Sequence, residues 1–218
     1  MYMHKWKYYK DHDSASRAAA EFICNRIREA INKTGSCHVI LPGGSTPVRC
    51  LEYISQQNMD WSRVHWYVSD ERCYPKSNAN RNDVMLDRHL WSLISETNIH
   101  TIQAEHGAEE AAEKYRHEID KISGFDISFL GMGEDGHTAS LFPDNNALQD
   151  LRSVVPVYES PKPPYERVTM GIETLKNSRH RVVLTGGVDK RDVLSRIQEG
   201  EKLPVNTLGD INWYVYDV

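Results

Sequence analysis

The sequence has no long apolar segment and no excess of basic charge. No stretch approaches the roughly 20 apolar residues that a helix needs to cross a bilayer, and the opening residues MYMHKWKYYKDHD lack the apolar core of a signal peptide. The 26 basic residues face 31 acidic ones, a net charge of −5, whereas nucleic-acid-binding proteins need a basic surface to neutralise phosphates. We therefore expect a soluble, cytoplasmic protein that binds neither nucleic acid nor a membrane.

Cysteine is also scarce, and the histidines are dispersed. The four cysteines, at positions 24, 37, 50 and 73, form no CxxC pair, so they indicate neither a disulfide scaffold nor a zinc knuckle. The ten histidines show no H-x-H or H-x-x-x-H spacing, and a metal site needs three or four ligands, some of them close together. We expect a reduced protein with no metal and no cofactor.

Short apolar strands alternate with helical patterns along the chain. The predicted strands lie at 37–41, 64–68, 125–133, 181–187 and 213–217. The predicted helices are one that Asp13 or Ser14 caps and Gly35 stops, one that Pro47 opens, and others at 80–94, 107–122 and 189–198. This alternation predicts an α/β fold, a mostly parallel sheet with helices on both faces, in a single domain over 1–218. Ligands of such sheets bind outside the carboxyl ends of the strands.

The turn after the first predicted strand reads Gly43-Gly44-Ser45-Thr46-Pro47. Two glycines let backbone N–H groups approach a ligand closely. The hydroxyls of Ser45 and Thr46 add donors, and the helix that follows adds the positive end of its dipole. This composition favours contact with a phosphate or a sugar over an ordinary tight turn. It is not a P-loop, because no Gly-Lys-Ser/Thr follows at the required spacing.

The second predicted strand ends in Ser69-Asp70-Glu71-Arg72. The planar guanidinium of Arg72 suits a phosphate, and the acids Asp70 and Glu71 suit sugar hydroxyls or a partner side chain. Three charges in a row are more often a solvated turn. The position at a strand's carboxyl end favours a site instead.

The strongest segment is Gly131-Met-Gly-Glu-Asp135-Gly-His137-Thr138. It contains G-x-G-x-x-G, and Glu159 follows at a tolerable distance for a ribose-binding acid, so a dinucleotide site is one interpretation. Against it, the segment lies in mid-chain and Pro143 with a turn cluster follows where a helix should begin. An exposed imidazole beside carboxylates on a glycine-flanked loop is typical of general acid–base chemistry.

Two weaker segments supply further cations. The Pro-rich stretch 161–164 leads to Arg167, and Gly186-Gly187 after a predicted strand leads to Lys190. A surface loop and a solvated lysine are the ordinary alternatives for these segments.

Taken in order, these segments resemble the 6-phosphogluconolactonase family over about residues 37–205. The motifs that carry the resemblance are LPGGSTP (41–47), SDERCYPKSNANRN (69–82), GMGEDGHTASLFP (131–143), PKPPYERVTM (161–170) and the GG…K pattern at 186–190. The resemblance implies a modified doubly wound, Rossmann-like fold similar to that of glucosamine-6-phosphate deaminases. It also implies metal-free hydrolysis of 6-phospho-D-glucono-1,5-lactone to 6-phosphogluconate in the oxidative pentose phosphate pathway.

The resemblance further assigns roles to individual residues. His137 is expected to be the general base on water, with Asp135 beside it, and Arg72 and Lys190 are expected to hold the phosphate. The further substrate contacts are expected at Gly43, Gly44, Ser45, Thr46, Asp70 and Arg167. We expect a monomer or weak homodimer whose partner is this small phosphosugar lactone.

Three other functions stay open from the residues. Glucosamine-6-phosphate deaminases are similar at the glycine turn and at Asp-Gly-His, but they carry Asn-Glu-Pro where this chain reads Ser140-Leu141-Phe142-Pro143. The missing glutamate is the acid expected to help open the sugar ring. A non-catalytic sugar-phosphate sensor would share the fold, but it would be expected to carry a helix-turn-helix outside the sugar-binding core. A nucleotide-dependent oxidoreductase is the third alternative.

Overall fold

The computed structural model describes residues 2–94 and 97–218. Its strands are β1 (Lys5–Tyr9), β2 (Cys37–Leu41), β3 (Val64–Val68), β4 (Asp70–Arg72), β5 (Asn98–His100), β6 (Phe125–Leu130), β7 (Val154–Val157), β8 (Arg167–Met170), β9 (Ser178–Gly186) and β10 (Ile211–Tyr216). Its helices are α1 (His12–Thr34), α2 (Val48–Ser55), α3 (Asn82–His89), α4 (Ala108–Ile119), α5 (Ile172–Lys176) and α6 (Arg191–Gln198).

Seven strands form one parallel sheet in the order β1-β10-β9-β6-β2-β3-β5. All six residues of β6 are buried. Because successive side chains of a strand point to opposite faces, this burial means that both faces of the sheet are covered. The predicted α/β fold with a mostly parallel sheet is confirmed, and β2 and β3 occupy the predicted residues.

Helix α1 begins earlier than predicted. Its N-cap is Asp11, whose Oδ1 accepts the Ser14 N–H at 2.8 Å, so the assignment of the cap to Asp13 or Ser14 is wrong. Asp13 instead accepts hydrogen bonds from Arg49 and Tyr53 on α2. The helix ends at Gly35, as predicted, with φ +88°.

A second, antiparallel sheet in the order β4-β8-β7 was not predicted. Residues 70–72, predicted as a polar segment at the carboxyl end of β3, form its strand β4. The helix predicted over 80–94 is shorter, because α3 ends at His89 and a separate 3₁₀ turn covers Trp91–Leu93. Three-residue strands carry too little periodicity to be told from polar turns.

The first residues of the chain form part of the central sheet. Strand β1 pairs in parallel with β10, and Trp6 stacks on Trp213 with ring centroids 4.5 Å apart. No strand was predicted at these residues. Among the described residues, no helix is both long enough and apolar enough to cross a bilayer.

Candidate active site

The carboxyl ends of β2, β3 and β6 meet at one edge of the sheet, where a cleft of about 240 Å³ opens. The turn after β2, the loop 131–139 after β6, and residues of β4, α3 and β8 form its walls. The predicted site residues in its lining are Gly43, Gly44, Ser45, Thr46, Asp70, Arg72, His137 and Arg167. Residues that sequence analysis missed also line it, chiefly Asn82, Met132, Thr138 and Ala139.

The glycine turn is held from its far side by the first turn of α1. His12 Nε2 lies 2.8 Å from the carbonyl oxygen of Thr46, and the His12 ring packs on Tyr216 with centroids 4.7 Å apart. Helix α2 starts at Val48 with Pro47 as N-cap, so its amino end faces the cleft as predicted. His12 had no motif around it to mark this contact.

Strand β4 presents Asp70 and Arg72 to the cleft. The Asp70 carboxylate is buried and accepts hydrogen bonds from Ser69 Oγ and Ser140 Oγ, both at 2.7 Å. Arg72 Nη1 donates to the Asn80 carbonyl at 2.6 Å, whereas its buried Nε has no hydrogen-bond partner among the described residues. Arg72 itself lines the cleft, but its Nε is buried away from it.

Arg167 lies on β8 directly opposite Arg72. Its side chain is only 7% exposed, and it donates to the carbonyls of Lys162 and Pro164 in the predicted Pro-rich segment. Burial lowers the pKa of Arg167, and the neighbouring positive charge of Arg72 adds to this effect. The Asp70 carboxylate opposes the effect, and two neighbouring cations in a partly buried wall attract an anion.

Glu71 does not line the cleft, and of its two expected roles, toward sugar hydroxyls or a partner side chain, the structure shows the second, an ion pair with Arg81 at 4.0 Å. It is fully buried and its carboxylate accepts the N–H groups of Arg72, Asn82 and Asp83, each at 2.8 Å. Burial and the nearby Asp83 raise the pKa of Glu71. This carboxylate joins β4 to the first turn of α3.

The buried Arg81 completes the support beneath Arg72. It forms ion pairs with Asp83 at 2.7 Å and Glu105 at 2.9 Å, and it donates to the carbonyls of Tyr74 and Ile102. Its side chain is 1% exposed, so this arginine stabilises the loop between β4 and α3 and is not available to a ligand. Sequence analysis could not distinguish this buried arginine from a binding one.

His137 and Asp135 form a hydrogen-bonded pair in the loop after β6. His137 Nδ1 lies 2.6 Å from Asp135 Oδ1, which also accepts the backbone N–H of His137. Partial burial opposes ionisation of Asp135, but the hydrogen bonds from His137 outweigh it and lower the pKa to about 2. An ionised carboxylate on Nδ1 fixes that nitrogen as the protonated one, which leaves Nε2 as the acceptor.

The position of the imidazole depends on a glycine. A Cβ at Gly133 would overlap the His137 ring, so the loop can fold back on itself only with glycine there. The ring also packs against Phe142, with centroids 4.5 Å apart. The chain after Gly136 turns back, with Thr138 and Leu141 paired, so a helix does not open at this glycine.

Three predicted residues, Asp135, Lys190 and Glu159, are not part of the cleft lining, and Asp135 is joined to it through its hydrogen bond to His137. Lys190 is in a 3₁₀ turn after β9, where its Nζ contacts Asp189 at 2.9 Å and Glu134 at 3.9 Å. Glu159, the candidate ribose-binding acid, lines a separate cavity of about 390 Å³ together with Asp144. The geometry thus pairs Arg72 with Arg167 and not with Lys190. In the part of the chain that the structure describes, no cluster of three or more His, Cys, Asp or Glu side chains has a metal-binding arrangement.

The chain is similar to known proteins over most of its length. A model of the family described as glucosamine-6-phosphate isomerases/6-phosphogluconolactonase matches residues 10–213. The chain is 31% identical over 215 residues to the 6-phosphogluconolactonase of Pseudomonas aeruginosa, covering 91% of this chain and 90% of that protein. It is 32% identical over 208 residues to the rabbit protein named GDH/6PGL endoplasmic bifunctional protein, covering 86% of this chain. The chain spans only 26% of that longer protein.

Solved structures of related proteins superpose on this chain over nearly its whole length. The crystal structure of a 6-phosphogluconolactonase from Thermotoga maritima superposes with a TM-score of 0.90 at 28% identity, covering 97% of this chain and 98% of that one. A monomeric glucosamine-6-phosphate deaminase superposes with a TM-score of 0.85 at 19% identity, covering 98% and 97% of the two chains, which shows a shared fold.

Proposed function

Because the chain belongs to the glucosamine-6-phosphate isomerase/6-phosphogluconolactonase family, we propose that it hydrolyses 6-phospho-D-glucono-1,5-lactone to 6-phosphogluconate. The observation that carries this proposal is the joining of two unlike groups in one cleft. The His137–Asp135 pair is suited to proton transfer, and the facing arginines 72 and 167 are suited to a phosphate. A phosphosugar lactone needs both of these functions and no electron carrier.

His137 is the general base of the proposed reaction. With Nδ1 held by Asp135, Nε2 removes a proton from water as the oxygen attacks the C1 carbonyl. The ring C1–O bond then breaks, and the imidazolium returns its proton to the departing ring oxygen, which becomes the C5 hydroxyl. The product acid is released as a carboxylate. A positioned base of this kind contributes about 10²–10⁴-fold.

Arg72 and Arg167 are the phosphate-binding residues of the proposal. Both arginines line the cleft, and their guanidinium groups are suited to charge-assisted hydrogen bonds to a dianion. The phosphate is remote from C1, so this contact mainly orients the lactone against His137. Lys190 stays a candidate third cation, reached only if it leaves its contact with Asp189.

The glycine turn is proposed to cover the opposite side of the substrate. The amides of Gly43 and Gly44 and the hydroxyls of Ser45 and Thr46 line the cleft, and they are donors suited to sugar oxygens or to the developing oxyanion. Asp70, held by two serine hydroxyls, is the acceptor for a sugar hydroxyl.

A lactonase assay tests the proposal. The lactone is generated in situ by glucose-6-phosphate dehydrogenase, and the product is followed with 6-phosphogluconate dehydrogenase at mildly acidic pH, after subtraction of spontaneous hydrolysis. We expect acceleration by the wild-type protein and its loss in His137→Ala. A folded wild-type sample that gives no acceleration contradicts the proposal. Glucosamine 6-phosphate serves as the comparison substrate, on which we expect no deamination.

A further inference from the structure

Asn82 lies in the cleft wall, between strand β4 and the glycine turn. It is the first residue of α3 and is 1% exposed. Its backbone N–H is held at 2.8 Å by the buried carboxylate of Glu71. A polar side chain this deeply buried is normally satisfied by hydrogen bonds that fix its neighbours.

The side chain of Asn82 reaches two different walls of the cleft. Its Nδ2 donates to the backbone carbonyl of Asp70 at 2.6 Å, at the start of β4. Its Oδ1 has no hydrogen-bond partner among the described residues and lies against the backbone of Gly43. A Cβ at position 43 would overlap the Asn82 amide. The Gly43 Cα–H that takes the place of this Cβ therefore points at Oδ1. Such a Cα–H···O contact is a weak hydrogen bond.

We propose that Asn82 is a positioning residue that ties the glycine turn to strand β4 and thereby sets the distance between the two walls that hold the substrate. One wall carries Asp70 and Arg72, and the other carries the amides of the glycine turn. The inference rests on the proposed lactonase function for its kinetic test, but not for its structural one. Oδ1 is itself buried, so the role of Asn82 is to place other groups and not to touch the lactone.

The kinetic test uses Asn82→Ala and Asn82→Asp. Both substitutions remove the donor to Asp70, and the aspartate keeps the size of the side chain while placing a carboxylate oxygen against that carbonyl. We expect KM to rise at least tenfold in each variant with kcat changed much less, because His137 lies on a different loop. Asn98→Ala is the matched control, since Asn98 Nδ2 also donates to a backbone carbonyl, that of Ser62. A KM within threefold of wild type in both Asn82 variants overturns the inference.

A size exchange between positions 43 and 82 tests the contact directly. Gly43→Ala should lose most of kcat/KM, since its methyl collides with the Asn82 amide. Adding Asn82→Ala makes room, so the double variant should be at least threefold more active than Gly43→Ala alone. If the double variant is no more active than Gly43→Ala, the proposed contact between Asn82 and Gly43 is contradicted.

Urea unfolding of the wild type, Gly43→Ala, Asn82→Ala and the double variant gives a readout that needs no substrate. We expect the two substitutions to be non-additive, with Gly43→Ala costing much less stability in the Asn82→Ala background. Additive effects overturn the inference. If the wild-type protein does not hydrolyse the lactone, the proposed function fails, and the unfolding cycle alone decides the role of Asn82.

Discussion

Arg72 on β4 and Arg167 on β8 are directly opposite neighbours in an antiparallel pair, and both line the cleft. The Cβ atoms of such neighbours lie about 4.5–5.5 Å apart, and like charges in this arrangement are destabilising without an anion between them. Asp70 lies beside them in the same lining and offsets part of this charge, and the two arginines together leave the wall suited to the proposed phosphate.

We predict that Arg72→Ala and Arg167→Ala each raise KM for the lactone by about 10- to 100-fold with kcat nearly unchanged, because a hydrogen bond to a charged group contributes about 1.5–3 kcal/mol in ground and transition state alike. Steady-state kinetics measure this effect. Arg63→Ala, which removes an exposed arginine paired with Asp60, is the control. A loss confined to kcat would mean that Arg72 acts at the carbonyl and not on the phosphate.

Removing the base should affect turnover and leave binding intact. We expect His137→Ala to lower kcat by two or more decades, while 6-phosphogluconate still binds in calorimetry with an affinity near that of wild type. Turnover that survives within threefold contradicts the assignment of the base.

Asp135 should act through His137. We expect Asp135→Asn to lower kcat at least tenfold, because the imidazolium formed in the reaction loses its counter-ion. Because the pKa of Asp135 is lowered to about 2, this carboxylate is ionised at every pH above about 3. The acid limb of the kcat/KM profile between pH 4 and 8 must therefore come from another group. If the acid limb in that range disappears in Asp135→Asn and in no other variant, the titration belongs to Asp135 and the prediction is contradicted.

Gly133→Ala should reproduce much of the effect of removing the base. Its Cβ would occupy the space of the His137 ring, so the imidazole must move and kcat should fall by at least tenfold while KM changes little. Gly124→Ala is the matched control, because a Cβ there meets Asn177 at an ordinary 3.4 Å. Normal turnover of Gly133→Ala would show that the loop adapts without moving His137.

We expect the folded protein to lose stability in acid because three histidines lie on adjacent strands. His38, His65 and His100 stack side by side, with ring centroids 4.7 and 5.5 Å apart. Burial lowers the pKa of His38 and of His65, and the neighbouring histidines lower both further. Asp126 opposes the effect at His38. The Tyr67 hydroxyl bonds His38 Nδ1, and Glu118 faces His100.

The sign follows from the lowered folded-state values. The unfolded chain takes up protons first as the pH falls below about 6.5. The folded state therefore has its full stability above that pH, and it loses stability as the pH falls toward the lowered pKa values of His38 and His65 in the folded protein. Urea denaturation between pH 7.5 and 5 should show this loss, and His65→Gln should reduce the proton uptake on unfolding by about one proton at most. The control is His117→Gln, at an exposed position, and a pH dependence that is the same in His65→Gln and wild type would contradict the assignment.

Sequence patterns were sufficient for the parts of the molecule that depend on local composition. The mostly apolar runs at 37–41 and 64–68 predicted β2 and β3, because a strand covered on both faces is rich in apolar residues and does not alternate with polar ones. The glycine turn, the Asp70–Arg72 segment and the His137 loop were found because each follows a strand, and the carboxyl ends of parallel strands share one edge.

The amino-acid sequence by itself determined the fold class, the family and the residue types available at the cleft. Only the tertiary structure decided which of those residues meet. The pairing of β4 with β8 places Arg167 opposite Arg72 across 95 positions of sequence, and it leaves Lys190 paired with carboxylates. Glu71, Asn82 and Arg81 became supports of the site because they are buried, and burial depends on the packing of elements distant in the chain. No local pattern carries that information, since a buried charge and an exposed one are the same letter in a sequence.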